Sequence, residues 1–139
     1  MKISKNFFLL CESTILDKSN RLTIVNLYNA VNSEKLPGDM AQFTLVANLK
    51  VGAEKKDKKL PDKINVSLVV KSPSGKNIFK FPEQAREIDK NKKEQDIGIV
   101  MSVQRLSLPE FGKYKVNLLV DDKKVADFPF EFRKKGKDK

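Results

Sequence analysis

The sequence of 139 residues contains no histidine, and its only cysteine is Cys11. Without histidine it lacks the commonest general base, the partner that activates serine and cysteine nucleophiles, and the ligand of most zinc sites. Its six glycines stand singly, so no glycine-rich loop could cradle a phosphate. We therefore predict that the protein is not an enzyme and that it uses no metal and no cofactor.

A single cysteine cannot form a disulfide within the chain, which favours a reducing compartment. Cys11 closes the apolar run of residues 7–11 and has no histidine partner, so we expect a buried structural thiol. The run resembles the start of a secretory signal, but it stops at Glu12, short of the roughly 7–15 apolar residues that a signal needs. No stretch approaches the ~20 apolar residues of a membrane span. We expect a cytoplasmic protein with no membrane partner.

The chain is basic, with 28 Lys and Arg against 18 Asp and Glu, a formal net charge of +10. Only four of the 28 are arginine, the residue that makes bidentate contacts to bases and phosphates. Much of the excess lies in residues 55–63 and 133–139. We interpret it as a solvated surface. The alternative is weak, sequence-independent nucleic-acid binding through this lysine-rich loop and tail.

Apolar and polar residues alternate in short segments separated by turn-forming residues, which is typical of β-strands with one buried face. The segments are residues 7–12, 21–27, 43–51, 64–70, 76–81, 96–106, 114–120 and 126–132. They predict an all-β fold, a single immunoglobulin-like two-sheet antiparallel β-sandwich of about seven or eight strands. We expect one domain over residues 1–133 and a basic flexible tail over 134–139. Residues 83–94 are rich in helix formers and predict either a short helix or a charged crossover loop.

The end of the chain predicts a corner followed by a hairpin. Pro109 and Gly112 frame the corner, and Gly112 precedes Tyr114 by two residues, as in the tyrosine corner of immunoglobulin-like sandwiches. We expect the Tyr114 hydroxyl to bond the backbone within residues 108–111. Asp121 and Asp122 supply the hairpin turn, where Asp tolerates a left-handed conformation. Pro129 donates no hydrogen bond and is expected at a sheet edge or with its nitrogen pointing outward.

Acidic turns bind calcium in some sandwiches, and Asp17 and the Asp121–Asp122 pair are the candidates here. Lysines stand next to both, at Lys18 and at residues 123–124, so we interpret these turns as plain polar turns.

Four apolar residues fall on the outward side of predicted strands: Val46, Val69, Val100 and Leu119. If they cluster on one sheet, they form the kind of patch that marks an interface or a homodimer. The main hypothesis is therefore an interaction or accessory module that binds a protein partner, or a second copy, through a sheet face or edge.

These pieces resemble a family of small uncharacterised bacterial proteins, each an immunoglobulin-like or C2-like β-sandwich. The resemblance rests on Cys11-Glu12, on Asp17 with residues 21–24 and 28–29, on Pro37 before the strand 43–51, and on the closing hairpin with residues 111–114, 120–122 and 128–130. It spans nearly the whole chain. The family has no assigned activity, so the resemblance implies no catalytic or binding residue. Asp122 stands where the family pattern would have glycine.

Overall fold

The computed structural model describes residues 1–19, 21–28, 30–53 and 60–135, and within them it contains eleven β-strands and no helix. No helix that could span a membrane is therefore found in this part of the chain. The strands are β1 (Lys2–Leu16), β2 (Leu22–Leu27), β3 (Ala30–Ser33), β4 (Gly38–Met40), β5 (Phe43–Gly52), β6 (Lys63–Lys71), β7 (Asn77–Glu87), β8 (Glu94–Val103), β9 (Leu106–Leu108), β10 (Gly112–Val120) and β11 (Lys123–Lys134).

The strands form two sheets and a small ribbon. The first sheet has the order β2-β1-β5-β8, the second has the order β3-β11-β10-β6-β7, and β4 pairs with β9. The predicted all-β sandwich is confirmed. The expected count of seven or eight strands was too low, because β3, β4 and β9 are too short to show an alternating pattern. One pair, β3 with β11, is parallel.

The core lies between the two sheets and consists of their inward-facing residues. In β5 these are Phe43, Leu45, Ala47, Leu49 and Val51, and in β10 they are Tyr114, Val116, Leu118 and Val120. Burial of such side chains stabilises the fold by roughly 25 cal/mol per Å² of apolar surface removed from water. The face of each strand that points away from this core is the one that can meet a partner.

The helix considered for residues 83–94 is wrong. Strand β7 continues to Glu87, and β8 begins at Glu94 after a turn. Pairing with β6 overrides the local helix preference, since residues 84–87 sit in register with residues 63–66. The ladder ends where the Ile88 N–H donates to the Asp62 carbonyl at 2.8 Å and the Ile88 side chain is buried.

The last strand extends into the predicted tail. β11 runs through Lys134, and the Lys135 N–H donates to the Ser33 carbonyl at 2.7 Å, so both residues belong to the sheet edge. Residues 136–139 lie outside the described residues. Strand β3 pairs with residues 131–134 only, so Pro129 lies on a part of β11 that is itself an edge.

Gly38 offers a direct test of how β4 packs on the sandwich. A Cβ at this position would overlap the ring of Phe132, which is buried, whereas a Cβ at Gly98 would meet no atom within 4 Å. We predict that Gly38→Ala lowers the free energy of unfolding by about 1–3 kcal/mol, as overpacking does. Gly98→Ala is the matched control and should leave the urea midpoint nearly unchanged. Equal midpoints for the two variants would contradict this packing.

Candidate interaction surfaces

Tyr114 serves the fold. Its ring is fully buried and stacks on Phe130, with the ring centroids 5.2 Å apart. Its hydroxyl donates to the Glu110 carbonyl at 2.6 Å and accepts the Glu110 N–H at 3.1 Å. Burial raises the pKa of this hydroxyl above its ordinary value, so it remains protonated and able to donate. The arrangement is that of a tyrosine corner and leaves no free group for a ligand.

The residues around Tyr114 fix the same corner. Pro109 follows the end of β9, and Gly112 adopts a φ of 133°, which L side chains rarely adopt. A Cβ on Gly112 would lie 2.8 Å from Cγ of Pro73. Only glycine therefore fits where the corner passes the β6–β7 turn.

The Asp121–Asp122 turn is held by its backbone conformation and by hydrogen bonds to β6. Asp121 and Asp122 have φ values of 49° and 68°, and Val120 pairs with Lys123, so they form a two-residue hairpin loop with two left-handed residues. Asp121 Oδ1 also accepts the Asn65 N–H at 3.0 Å, which ties the loop to β6. No group of three acidic, cysteine or histidine residues that could hold a metal is found among the described residues.

Asp17 closes the β1–β2 turn in a similar way. Its Oδ1 accepts the N–H groups of Ser19 at 2.8 Å and Arg21 at 2.9 Å, and its Oδ2 accepts Nε of Arg21 at 2.9 Å. The hydrogen bond from the Arg21 backbone is the main reason that the pKa of Asp17 lies below its usual value. The carboxylate is already used within the turn.

The four apolar residues predicted to form an interface do not share a sheet. Val46 and Val100 are opposite each other on β5 and β8 of the first sheet, whereas Val69 and Leu119 lie on β6 and β10 of the second. Val46 and Val69 are buried, Leu119 is half-buried, and 43% of Val100 is exposed. The outward alternation was predicted correctly for single strands, but strand periodicity carries no information on which strands share a sheet.

The structure shows a larger apolar surface around Val46 and Val100. We call the outer side of the first sheet the apolar face; its apolar residues are Phe7, Leu9, Cys11, Ile15, Val25, Leu27, Val46 and Val100, and polar residues such as Thr44, Asn48 and Lys50 lie between and beside them. Cys11 and Val46 are buried in its middle, while Leu27 is 60% exposed, Ile15 58% and Phe7 38%. Leu9, Val46 and Val100 form one row across three neighbouring strands.

Most of the apolar face lacks positive charge; Lys50, at one end of it, is opposite Asp96 and lies 3.4 Å from Glu94. Residues 6–16, 22–27, 43–49 and 94–103 contain no Lys or Arg, although the chain has 28 of them. Sequence reasoning missed this face because the apolar run of residues 7–11 was interpreted only as giving Cys11 a buried strand position. The signal that could have identified it is that the predicted strands 7–12, 21–27, 43–51 and 96–106 contain a single lysine, Lys50.

Cys11 is inaccessible within this face. It is fully buried, and its Sγ lies 3.4 Å from the Thr44 carbonyl, to which the thiol can donate. Burial raises the pKa of the thiol, which disfavours the reactive thiolate. It packs as a small apolar residue.

The outer side of the second sheet has the opposite chemistry. We call it the basic face; its lysines include Lys71, Lys80, Lys113 and Lys115. Lys71 on β6 is directly opposite Lys115 on β10, and like charges in this position destabilise a sheet. Two acidic residues of this face, Asp127 and Glu131, contact Lys124 at 3.0 Å and Arg133 at 2.6 Å.

A nearly buried polar group lies in the middle of the basic face. Asn117 is 7% exposed, sits opposite Val69 and Asp127, and is next but one to Lys115 along β10. Within the described part of the chain its Oδ1 has no hydrogen-bond partner. Lysine stems can cover such short central residues while their ammonium groups stay in water.

Comparison with known proteins identifies the family to which this chain belongs. Residues 6–133 match a family of unknown function, DUF6941. The chain belongs to this family. No protein of curated function matches it in sequence.

Two solved structures are similar to this member of DUF6941. One is an alkylpurine DNA glycosylase from Pseudomonas fluorescens, bound to DNA containing an abasic site analogue, with 12% identity and a TM-score of 0.51 over 94% of this chain. The chain spans only 30% of the glycosylase's length. The other is an immunoglobulin-like protein from Pseudomonas aeruginosa, with 15% identity and a TM-score of 0.43, covering 96% of this chain and 98% of that one. At such identity the likeness to the glycosylase shows the fold alone.

The corner generates a prediction for Tyr114. Tyr114→Phe should lower the free energy of unfolding by about 0.5–1.5 kcal/mol, because the Glu110 carbonyl and N–H lose their partner. Tyr114→Ala also removes a buried ring and should cost about 3–5 kcal/mol. Urea denaturation measures both. Tyr28→Phe, at the half-buried second tyrosine, is the control and should change stability by no more than about 0.5 kcal/mol. Wild-type midpoints for both Tyr114 variants would rule the corner out.

Proposed function

We propose that this DUF6941 member is a cytoplasmic, non-enzymatic interaction module that binds a protein partner through its apolar face. The observation that carries the proposal is a sheet side with exposed Phe7, Ile15, Leu27 and Val100, whose lysines Lys2 and Lys50 lie at one end, in a chain with a net charge of +10. Contiguous exposed apolar surface of this kind marks interaction sites on soluble proteins. The buried Cys11 thiol and the lack of histidine agree with a non-catalytic protein in a reducing compartment.

The size of the face is compatible with this role. The sheet has four strands. With strands about 4.8 Å apart and about ten residues long, at about 3.3 Å per residue, the face measures roughly 19 by 33 Å. This area of roughly 600 Å² is close to the roughly 800 Å² that each partner buries in a stable protein complex. Covering the exposed parts of Ile15 and Leu27 would contribute roughly 1–2 kcal/mol each.

The border of the face indicates the chemistry of the partner. Asn6 donates to Asn48 at 2.6 Å and to Asp96 at 3.2 Å, so this end of the face is polar and carries an acidic group. An apolar centre with a polar rim is the usual anatomy of a protein interface. The surface that fits it is apolar in the middle and offers hydrogen-bond donors or a positive charge near Asp96.

Leu27→Lys tests the proposal because it places a charge in the apolar face. In affinity capture from native lysate, quantified by mass spectrometry, this variant should retain its specific partner at least about tenfold less than wild type, as loss of an interface anchor does. Leu22→Lys is the matched control, because Leu22 lies on the same strand, pairs with Leu16 and points to the opposite side. Equal retention by wild type and Leu27→Lys would refute the apolar face as the docking surface.

A second candidate function is favoured by the cross-strand pair of Lys71 and Lys115. We propose that the basic face binds nucleic-acid phosphates, since a bound polyanion would neutralise two lysines that otherwise repel each other. The binding segments expected from the sequence were the loop 55–63 and the tail 134–139, of which residues 55–59 and 136–139 lie outside the described residues. The basic face is a different surface, on β6, β7 and β10.

Salt dependence tests this second candidate. The double variant Lys71→Ala/Lys115→Ala should flatten the slope of log K against log salt for a mixed-sequence duplex by roughly two, since each lost phosphate contact removes about 0.9. Lys92→Ala/Lys93→Ala, in the turn before β8, removes the same charge away from the face and should leave the slope nearly unchanged. Equal slopes for the two double variants would exclude the basic face.

A further inference from the structure

The free edge of the first sheet, strand β8, has little protection against pairing with another strand beyond the acidic Glu94 and Asp96 at its first end. Its ten residues pair with β5 without any register shift, from Phe43 opposite Val103 to Gly52 opposite Glu94. They include no proline and no lysine. Natural sheets protect exposed edges with prolines, lysines, bulges or short strands, because an open row of N–H and C=O groups is a template for further pairing.

The other sheet edges in the described part of the chain carry such protection. Strand β7 contains Pro82, and its ladder with β6 has two register shifts. Strand β2 has six residues and includes Asn26 with a φ of 51°, and β3 has only four residues. Of these edges, β8 therefore has the fewest features that hinder pairing with another strand.

The direction of the free backbone groups on β8 follows from its ladder. The Ala53 N–H donates to the Lys93 carbonyl at 3.1 Å, which makes these two opposite residues a hydrogen-bonded pair. Hydrogen-bonded and non-hydrogen-bonded pairs alternate along an antiparallel ladder. The odd-numbered residues of β8 therefore bond to β5, and the even-numbered ones direct their N–H and C=O away from it: Glu94, Asp96, Gly98, Val100 and Ser102.

We propose that β8 pairs antiparallel with β8 of a second copy of this chain about a twofold axis close to residues 98–100. The two four-stranded sheets then form one continuous eight-stranded sheet. Such pairing joins edges of equal length. The outward N–H groups of the even-numbered β8 residues in each copy then meet the outward C=O groups of the even-numbered residues in the other. This interface is separate from the docking surface proposed above and does not depend on it.

The charges of β8 favour a second copy in this orientation. Its acidic residues, Glu94 and Asp96, lie at the first end, and residues 97–103 are uncharged. Antiparallel pairing puts the acidic end of one copy beside the uncharged end of the other, so no like charges face each other across the axis. Parallel stacking of the same edges would place the acidic residues side by side. A closed twofold contact also leaves no further edge of this kind exposed.

The dimer enlarges the apolar face. Val100, which is 43% exposed, lies at the border of that face and comes to lie beside the same row of the second copy. Pairing through one edge strand buries less than the roughly 1,200–2,000 Å² of stable complexes. We therefore expect a reversible equilibrium, with monomer at micromolar and dimer at millimolar protein concentration.

Gly98 provides the variants that test this. Its N–H points away from β5, and a Cβ there meets no atom within 4 Å. Gly98→Pro removes an outward donor without removing a ladder bond, which proline tolerates on an edge strand. Gly98→Ala is the matched control because it keeps the N–H. In sedimentation equilibrium from micromolar to millimolar concentration, wild type and Gly98→Ala should dimerise, and Gly98→Pro should remain monomeric with an unchanged β-sheet circular dichroism spectrum.

Hydrogen exchange of the wild-type protein gives an independent readout that needs no variant to fold. The amides of Gly98, Val100 and Ser102 should exchange more slowly as concentration rises, while the rates of Ile97 and Ile99 change little. A wild type that stays monomeric at millimolar concentration, or a dimer whose even-numbered β8 amides gain no protection, would overturn the proposal. Leu27→Lys should dimerise like wild type. A result against partner binding by the apolar face is therefore distinguishable from a result against dimerisation through β8.

Discussion

Successive residues of a strand point to opposite faces of the sheet. Burial of one set of side chains in the core therefore determines which residues lie on the outer side of each sheet. Phe8 and Leu10 of β1 face the core, which turns Phe7, Leu9 and Cys11 outward. Tyr114 and Val116 of β10 face the core in the same way, which turns Lys113 and Lys115 outward. A slip of one residue in either strand would exchange core and surface. The apolar and basic faces are thus both consequences of how the two sheets pack.

The two faces impose opposite constraints on the sandwich. An exposed apolar side favours association, while facing lysines on the other side raise the free energy of the isolated fold. The core offsets both effects, with Tyr114 and Phe130 stacked at the corner and Gly112 fitting against Pro73. Exposed apolar residues are concentrated on the outer side of the first sheet and lysines on that of the second, so one small domain offers two chemically distinct surfaces.

Local patterns predicted the fold better than the surfaces. The closing hairpin and its corner were predictable because their residues are close in sequence, so that Tyr114 and Glu110 meet within one turn. The helix considered for residues 83–94 was wrong because its helix formers pair with β6, about twenty residues earlier in the chain. The candidate interface residues Val46, Val69, Val100 and Leu119 were predicted to point outward one strand at a time, and they divide between two sheets. Periodicity predicts which residues share one side of a strand. It does not predict which strands are its neighbours in the sheet.

The sequence by itself determined the fold class, the hairpin turn at Asp121 and Asp122, the buried tyrosine corner and the lack of histidine chemistry, because each depends on residue types or on short-range spacing. Only the tertiary structure decided that β1, β2, β5 and β8 share a sheet. That assembly brings Leu9, Val46 and Val100 into one row, although they are separated by tens of residues along the chain. It also decided that β8 lies at an open edge, since an edge is defined by the strand that is absent beside it.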